Sequence, residues 1–395
     1  MLRVSILLFS LIICKFTIAQ GIKFKNEIYS LEQFENSISK SNKITLLIAF
    51  SSHCEVCKHM DTAVYSKKEI GKFFNKNFNT FKIDLDKEFA NQFINKYEIY
   101  GYPAYLFFNK NGVLIHRQKG GFPLEKFLEL GNDAIDPNKQ FLSASFKFKN
   151  GTREKYFCKY LAESATEMNQ IELQKSCVDC YLDQCKNWES EESVKFIFKY
   201  TGSIQDRQFQ FVIKHRNEFE KIIGPGKFAE KIDNIILKDI YQNSYDDEIK
   251  GLDTIRAKEF ATKYLPPNEI EKALWLYNSD QLFRKKDSIN YINSIFSYFS
   301  KFPSKNGYLI TNLTRTIANF TSDSIYLNNA LVLSQRAYLF KPEEKCYLNA
   351  ASIAIKLNNY KKAYEILLEG QEYSRTEKMK FYELNELIIQ IEQKI

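Results

Sequence analysis

The stretch Ile44-Thr45-Leu46-Leu47-Ile48-Ala49-Phe50, then Ser51-Ser52-His53, then Cys54-Glu55-Val56-Cys57-Lys58-His59-Met60, decides how the chain is read. Its first seven residues form an apolar run of strand length, the pattern of a strand buried on both faces. Its last residues open a helix at the second cysteine. Two cysteines three apart, placed where a buried strand gives way to a helix, have a chemical reason to be there. Thiolate is the reactive form of sulfur, and unpaired backbone N–H groups at a helix start stabilise it. The first sulfur is set to attack and the second, one turn inside, to displace the resulting mixed disulfide. The bland readings of such a pair are a structural disulfide or half of a zinc site. Zinc wants four ligands, and no matching pair lies near this one, so no metal is expected.

Outward from this motif, residues 20–137 alternate strand and helix patterns. Strands are expected at 44–50, 78–85 and 104–108, with helices at 31–39, 57–65, 67–75, 87–97 and 123–130. Asn111 and Gly112 form a turn that returns the chain as a fourth strand at 113–117. Such alternation makes an α/β layered fold the economical solution. Asp84 and Asp86, at a strand end, are expected to cap the helix that follows rather than hold a metal.

With this context the sequence resembles the thioredoxin superfamily, and specifically the exported thioredoxin-fold proteins of Bacteroidetes-type bacteria that carry a helical extension. The resemblance rests on residues 52–58, on Tyr102 and Pro103 before the third strand, and on Gly120 and Gly121 after the hairpin. It covers roughly residues 22–135 and implies a central mixed sheet flanked by helices. It implies a cis bond before Pro103, beside the sulfurs of Cys54 and Cys57, with Tyr102 and Pro103 holding the backbone of an extended substrate peptide. Two positions depart from the family. The strand acid six residues before the first cysteine, which assists proton transfer from the second, is replaced by Ile48. The usual Trp before the first cysteine is His53, a titratable group. Glu55, between the sulfurs, should raise the Cys54 pKa unless its carboxylate swings into solvent, which biases the couple towards a reductant.

Residues 138–395 read as helix after helix, parted by Gly224-Pro225-Gly226, Pro266-Pro267, Pro303 and Pro342. Helices so joined stack as antiparallel hairpins. Ala330 and Ala363, 33 residues apart, with Tyr347, Ala350, Ala354 and Tyr360 between them, make a degenerate tetratricopeptide-like pattern. The expected architecture is therefore an α/β thioredoxin-like fold at 20–137 followed by an all-α helical-hairpin domain at 138–395.

Residues 1–19 combine a charged start at Arg3, an apolar run from Val4 to Ile13 and small residues ending at Ala19. This is the pattern of a secretory signal peptide cut after Ala19. The run is shorter than the roughly 20 residues that cross a bilayer, so no integral membrane segment is expected after cleavage. A lipid anchor on Cys14 would need a small residue before it, and Ile13 is not small. Periplasmic export is expected, with secretion or a lipid anchor as alternatives.

Removal of Cys14 leaves seven cysteines, which cannot all pair within one chain, so a fully stapled disulfide scaffold is excluded. A second CxxC, Cys177 to Cys180, with Cys185 close behind, lies in a helical pattern over 166–182 with no strand before it. Buried thiols are the first expectation for these three, with a disulfide among them or a relay role as alternatives.

The 395 residues exceed what one domain of roughly 150 residues needs. The net charge of +8 comes from 46 Lys and only 10 Arg against 48 acids, scattered rather than clustered, which argues against nucleic-acid recognition. Four histidines leave a Cys-His hydrolase without a separate base, and His116 is expected at the surface. The sequence reading is an exported thiol-disulfide oxidoreductase acting on protein or peptide thiols, needing a redox partner and no cofactor beyond its own cysteines. The competing reading is a helical-repeat adaptor with a redox-inert thioredoxin-like cap.

Overall fold

The computed structural model describes residues 21–25 and 28–395. The expected signal segment, its cut site and Cys14 lie outside the described residues. The chain divides into two compact units between Lys186 and Asn187.

In the first unit, helix α1 (Leu31–Ser39) opens with Ser30 accepting from the Gln33 N–H, which satisfies one of the orphan donors of a helix start. Strand β1 (Ile44–Phe50) is followed by α2 (Glu55–His59), which runs on as a π-helix over Met60–Tyr65. Then come α3 (Lys68–Asn77), β2 (Phe78–Asp84), α4 (Asn91–Tyr97), the hairpin β3 (Ala104–Phe108) and β4 (Leu114–Lys119), and α5 (Leu124–Ile135). The sheet order is β2-β1-β3-β4, with β1 parallel to β2 and antiparallel to β3. The hairpin turns where expected: Asn109 Oδ1 accepts from the N–H groups of Asn111 and Val113, and Gly112 takes φ +75°.

Central position explains the composition of β1. Leu46 and Ile48 face one core with Met60, Val64, Tyr65, Phe74, Tyr105 and Phe127. Leu47 and Ala49 face a second core with Phe34, Ile38, Phe81, Phe93 and Leu106. Two buried faces leave no position for a polar alternation.

Three helices after Asp136 belong to the same compact unit as the sheet: α6 (Phe141–Lys149), α7 (Lys155–Glu167) and α8 (Ile171–Asp183). The first two pack on β4. The continuous helix expected over 166–182 is broken at Asn169, whose φ is +54°, so that α7 and α8 form a hairpin.

The second unit is helical apart from a two-residue ribbon pairing Tyr245–Asp246 with Gly251–Leu252. Its helices are α9 (Glu191–Tyr200), α10 (Phe209–Lys214), α11 (Arg216–Ile223), α12 (Pro225–Ser244), α13 (Thr254–Ala261) and α14 (Pro267–Arg284). These continue as α15 (Ser288–Lys301), α16 (Gly307–Phe320), α17 (Ser324–Phe340), α18 (Glu344–Lys356), α19 (Tyr360–Thr376) and α20 (Tyr382–Glu392). The starts are written locally. Ser190, Asp253, Asp287, Asn306, Asp323 and Asn359 each accept a backbone N–H of the helix they precede, and Pro225 and Pro267 open theirs. From α16 to α20 each helix packs on the next. Ala330, Ala350, Ala354 and Ala363 are fully buried there, the small residues that let neighbouring helices approach. At Gly226 a side chain has no room: a Cβ would stand 1.9 Å from the Phe340 carbonyl oxygen.

Candidate functional site

Strand β1 delivers the cysteine motif. After Phe50 the chain leaves the sheet through Ser51, Ser52 and His53, and Cys54 caps α2 with extended backbone at φ −87° and ψ 109°. The Cys54 Sγ accepts the Cys57 N–H at 3.0 Å. A backbone donor aimed at sulfur stabilises a thiolate more than a thiol, because charge-assisted hydrogen bonds are the stronger ones. Cys54 and Cys57 are joined as a disulfide with Cα atoms 5.2 Å apart. Both cysteines are buried, Cys54 at 8% exposed and Cys57 at 3%, so Cys54 is the more exposed residue of the two.

The turn before Cys54 is fastened by a residue the sequence reading assigned elsewhere. Asp86 Oδ2 accepts from Ser51 Oγ at 3.0 Å, the Ser52 N–H at 2.9 Å and Ser52 Oγ at 2.7 Å, and pairs with His53 Nδ1 at 3.1 Å. The Ser52 hydroxyl, then Ser51, His53 and the Ser52 amide, pull its carboxyl down to about 2. The expected helix cap is corrected: no side chain caps the turn at Glu88–Ala90 or α4, and Asp84 accepts the Asp86 N–H instead. Because β1 and β2 are parallel and Phe50 pairs with Asp84, the loop after β2 emerges beside the loop after β1.

Strand β3 brings the third element. The Tyr102–Pro103 bond is cis, as the resemblance implied. Ala104 pairs with Ala49, so Pro103 stands at the end of β1 from which the cysteines emerge. Gly120 donates to the Pro103 carbonyl at 2.8 Å, and a Cβ on Gly121 would meet Val56 Cγ1 at 2.7 Å, which brings this loop against the cysteine helix. Tyr100, Tyr102 and Val56 expose roughly half or more of their surface, an apolar rim on the loops that carry the motif and Pro103. Glu55 lies in solvent and pairs with Lys58 at 2.7 Å, the outward swing that relieves its repulsion of a Cys54 thiolate.

Ile48 is fully buried, and its register partners are Lys82 on β2 and Tyr105 on β3. Lys82 Nζ holds both carboxylate oxygens of Asp61, at 2.5 and 2.6 Å, and lies 4.3 Å from the Phe50 ring centroid. Asp61 is one helical turn after Cys57. The hydroxyls of Tyr105 and Tyr65 share a hydrogen bond of 2.7 Å, and burial raises the pKa of both phenols. The carboxylate paired with Lys82 therefore comes from the helix rather than from β1. Asp61 was missed although its spacing of four from Cys57 is a readable signal. Asp86 had no such signal, being more than 30 residues from its partners.

A family of thioredoxin-like domains matches residues 31–135. Residues 31–135 are a thioredoxin-like domain. No curated protein matches the chain. Among solved structures, a solution structure from Bacteroides thetaiotaomicron assigned as a disulphide-isomerase is 26% identical, covering 30% of this chain and 98% of that one, with a TM-score of 0.26. A DsbH oxidoreductase is 16% identical over 30% of this chain and 87% of its own, with a TM-score of 0.26. The TPR2AB domain of yeast Sti1 in complex with pHSP90 is 13% identical over 68% of this chain and 95% of its own, with a TM-score of 0.25.

Beyond the thioredoxin-like domain, the second CxxC does not form a couple. Cys180 bonds to Cys158, which staples α8 to α7, while Cys177 is a buried thiol that burial pushes up to about 12. Cys185 donates to the Tyr181 carbonyl at 3.3 Å, and Cys346 is a buried thiol accepting from Thr311 Oγ1. The expectation of buried thiols thus holds for Cys177 and is corrected for Cys180, whose partner lies in the preceding helix, and for Cys185, which is a free thiol only partly buried. His116 is not at the surface: it is 6% exposed, with Nδ1 unpartnered. Among the described residues no cluster of three or more His, Cys, Asp or Glu is arranged to hold a metal, and no helix is long and apolar enough to cross a membrane.

Proposed function

We propose that the chain is an exported thiol-disulfide oxidoreductase acting on protein substrates, with Cys54 attacking and Cys57 resolving. The observation that carries the reading is the Cys54 sulfur at the strand-to-helix junction, taking the Cys57 N–H, with cis Pro103 at the neighbouring strand end. In the reduced state the Cys54 thiolate attacks one sulfur of a substrate disulfide, forms a mixed disulfide and expels the substrate's other sulfur as a thiolate. Cys57 then loses its proton and attacks Cys54, releasing the second substrate thiolate. Two electrons pass to the substrate, and the protein is left with the Cys54–Cys57 disulfide. An external thiol reductant resets it.

In this scheme Asp61 takes the Cys57 proton, directly or through water, since Cys57 is nearly solvent-free and Asp61 is a carboxylate one turn away. Tyr102 and Pro103 hold the substrate backbone, and the Asp86 clamp keeps Ser51–His53 fixed while the sulfurs exchange partners. Export rests on the pattern of residues 1–19. The reducing direction rests on Glu55, whose repulsion is weakened by Lys58. Equilibration with glutathione tests it, and a potential near that of strong oxidants overturns the direction.

The test of the reaction is thiol trapping. A Cys57→Ser chain offered insulin should accumulate a mixed disulfide through Cys54. A folded Cys57→Ser chain that traps nothing removes the catalytic reading and leaves the adaptor.

A further inference from the structure

The unit from Asn187 onward carries a groove enclosing about 760 Å³, between α9, α12, the turn from α17 to α18, and α19. Clefts of about 300–1,000 Å³ are the range in which ligands are held. Its floor is apolar, made of Phe198, Ile235, Phe340, Tyr373 and the half-exposed Met379. Its rim is cationic. Lys227, Lys231 and Lys238 come from one side of α12, and Lys341 comes from the opposite turn.

Of the four lysines, Lys341 and Lys238 are matched by acids, whereas Lys227 and Lys231 have no ion-pair partner among the described residues. Glu230 and Glu343 both pair with Lys341, at 2.7 and 3.3 Å. Lys238 pairs with Asp239 Oδ1 at 3.4 Å and donates to the Gly202 carbonyl at 2.8 Å. Lys231 bonds only the carbonyl oxygens of Phe198 and Lys199 at the end of α9, while its ammonium lies 4.7 Å from the Phe198 ring centroid. Burial and neighbouring Lys227 push its pKa down, to about 8, against the opposing pull of Asp206. Asp206 itself accepts from the N–H groups of Gly202 and Ser203. Two of the three donors of the Lys231 ammonium are spent on carbonyls. Lys227 has no ion-pair partner among the described residues. A cation drawn out of water over an aromatic floor, with no carboxylate of its own, gains most from an anion brought by something else.

We propose that this groove is a docking site for an extended acidic peptide segment of a partner protein, its carboxylates meeting Lys227 and Lys231 and its apolar side chains lying on Phe340, Tyr373 and Met379. The apolar floor favours a peptide over a nucleic acid, because it offers alternate side chains a surface and carries no second stripe of cations to follow a phosphate backbone. The site does not depend on the thiol chemistry of Cys54 and Cys57.

The test is fluorescence anisotropy with the full mature chain and a fluorescein-labelled hexapeptide alternating glutamate and leucine. Its lysine-leucine counterpart and a labelled single-stranded DNA hexamer are the comparison probes. The acidic peptide should bind at least tenfold more tightly than either and weaken with added salt. Lys227→Glu with Lys231→Glu should cut its affinity at least tenfold. Lys231→Met, which keeps the stem over Phe198, should cut it severalfold with helicity unchanged. Lys285→Glu with Lys286→Glu alters net charge equally away from the groove and should change binding less than twofold. The proposal is overturned if that distant pair weakens binding as much as the groove pair, if the basic peptide or the DNA binds as well as the acidic peptide, or if no acidic peptide binds.

Discussion

Lowering the pH should loosen the sheet of the thioredoxin-like domain through one residue, His116. The imidazole is buried against the sheet, opposite Phe107 in register, and its Nδ1 has no partner. Burial lowers its pKa to about 4 despite the opposing charge of Asp133, whereas an unfolded histidine titrates near 6.5. Between these values the unfolded chain holds a proton that the folded chain does not, so stability falls as pH falls from about 6.5 to about 4 and levels off below. At pH 5 the unfolded imidazole is almost fully charged and the folded one about a tenth charged, a loss of about 2 kcal/mol, rising to about 3 kcal/mol at saturation. Hydrogen-exchange mass spectrometry of residues 104–119 measures this, with His116→Leu as the reference that cannot titrate. After correction for intrinsic exchange, moving from pH 7.5 to pH 5 should cost the wild-type peptide about thirtyfold more protection than the variant loses. The comparison cancels the carboxylates common to both chains. Identical pH dependence in the two would show that the buried imidazole accepts a proton without penalty, and the argument would be refuted.

Asp61→Asn should slow release of the mixed disulfide about tenfold or more at pH 7 while the first attack by Cys54, followed in a Cys57→Ser background, keeps its rate. An unchanged release rate would remove Asp61 from the proton path, and a double variant with Lys82→Met guards against the effect of an unpaired ammonium. The Cys158–Cys180 bond closes a separation of 22 residues, for which the chain-entropy estimate is about 3 kcal/mol. Cys158→Ala with Cys180→Ala should therefore lower the melting temperature of the first unit measurably in calorimetry, and an unshifted transition would mean that the α7–α8 hairpin holds without its staple.

What could be read from the sequence was what neighbouring residues decide. The buried strand, the helix after the strand, the Asn111-Gly112 turn and most helix starts depend on side chains within a few positions of one another; they lie where expected, save that the cysteine helix opens at Glu55, capped by Cys54, two residues before the expected Cys57. The sheet and the helical region were legible for the same reason. The misreadings depend on contacts between distant segments. His116 reads as a surface residue because it lies in the hairpin strand. That strand in fact receives α5, α6 and α7, two of which follow the linker-like Asp136-Pro137-Asn138 where a boundary was drawn. Cys180 was grouped with Cys177 and Cys185 by spacing, yet the break at Asn169 folds α8 back on α7 and brings Cys158 to it. Asp86 reads as a cap because nothing local says that β1 and β2 run parallel.

That parallel pairing shows how the site is put together. Three strand ends meet where β1 releases the chain: β1 supplies Cys54, parallel β2 supplies Asp86, and antiparallel β3 supplies Pro103. Two of these contributions hold and one changes. The Asp86 clamp carries four contacts to the three residues before Cys54, and its carboxyl, pulled down to about 2, stays ionised through any physiological pH. In the proposed reaction the Cys57 proton is the part that moves. With Ile48 sealed at the centre of the sheet, it has no acid on the strand to go to. The Asp61–Lys82 pair is partly open to solvent, with side chains 38% and 21% exposed, and in the proposed reaction Asp61, four residues after Cys57, would carry the proton to water. A buried strand acid would have to take up a charge in the core at each turnover. In the proposed reaction a carboxylate at the edge takes the proton where water can remove it, and Lys82, left for that moment without its partner, is itself partly solvated.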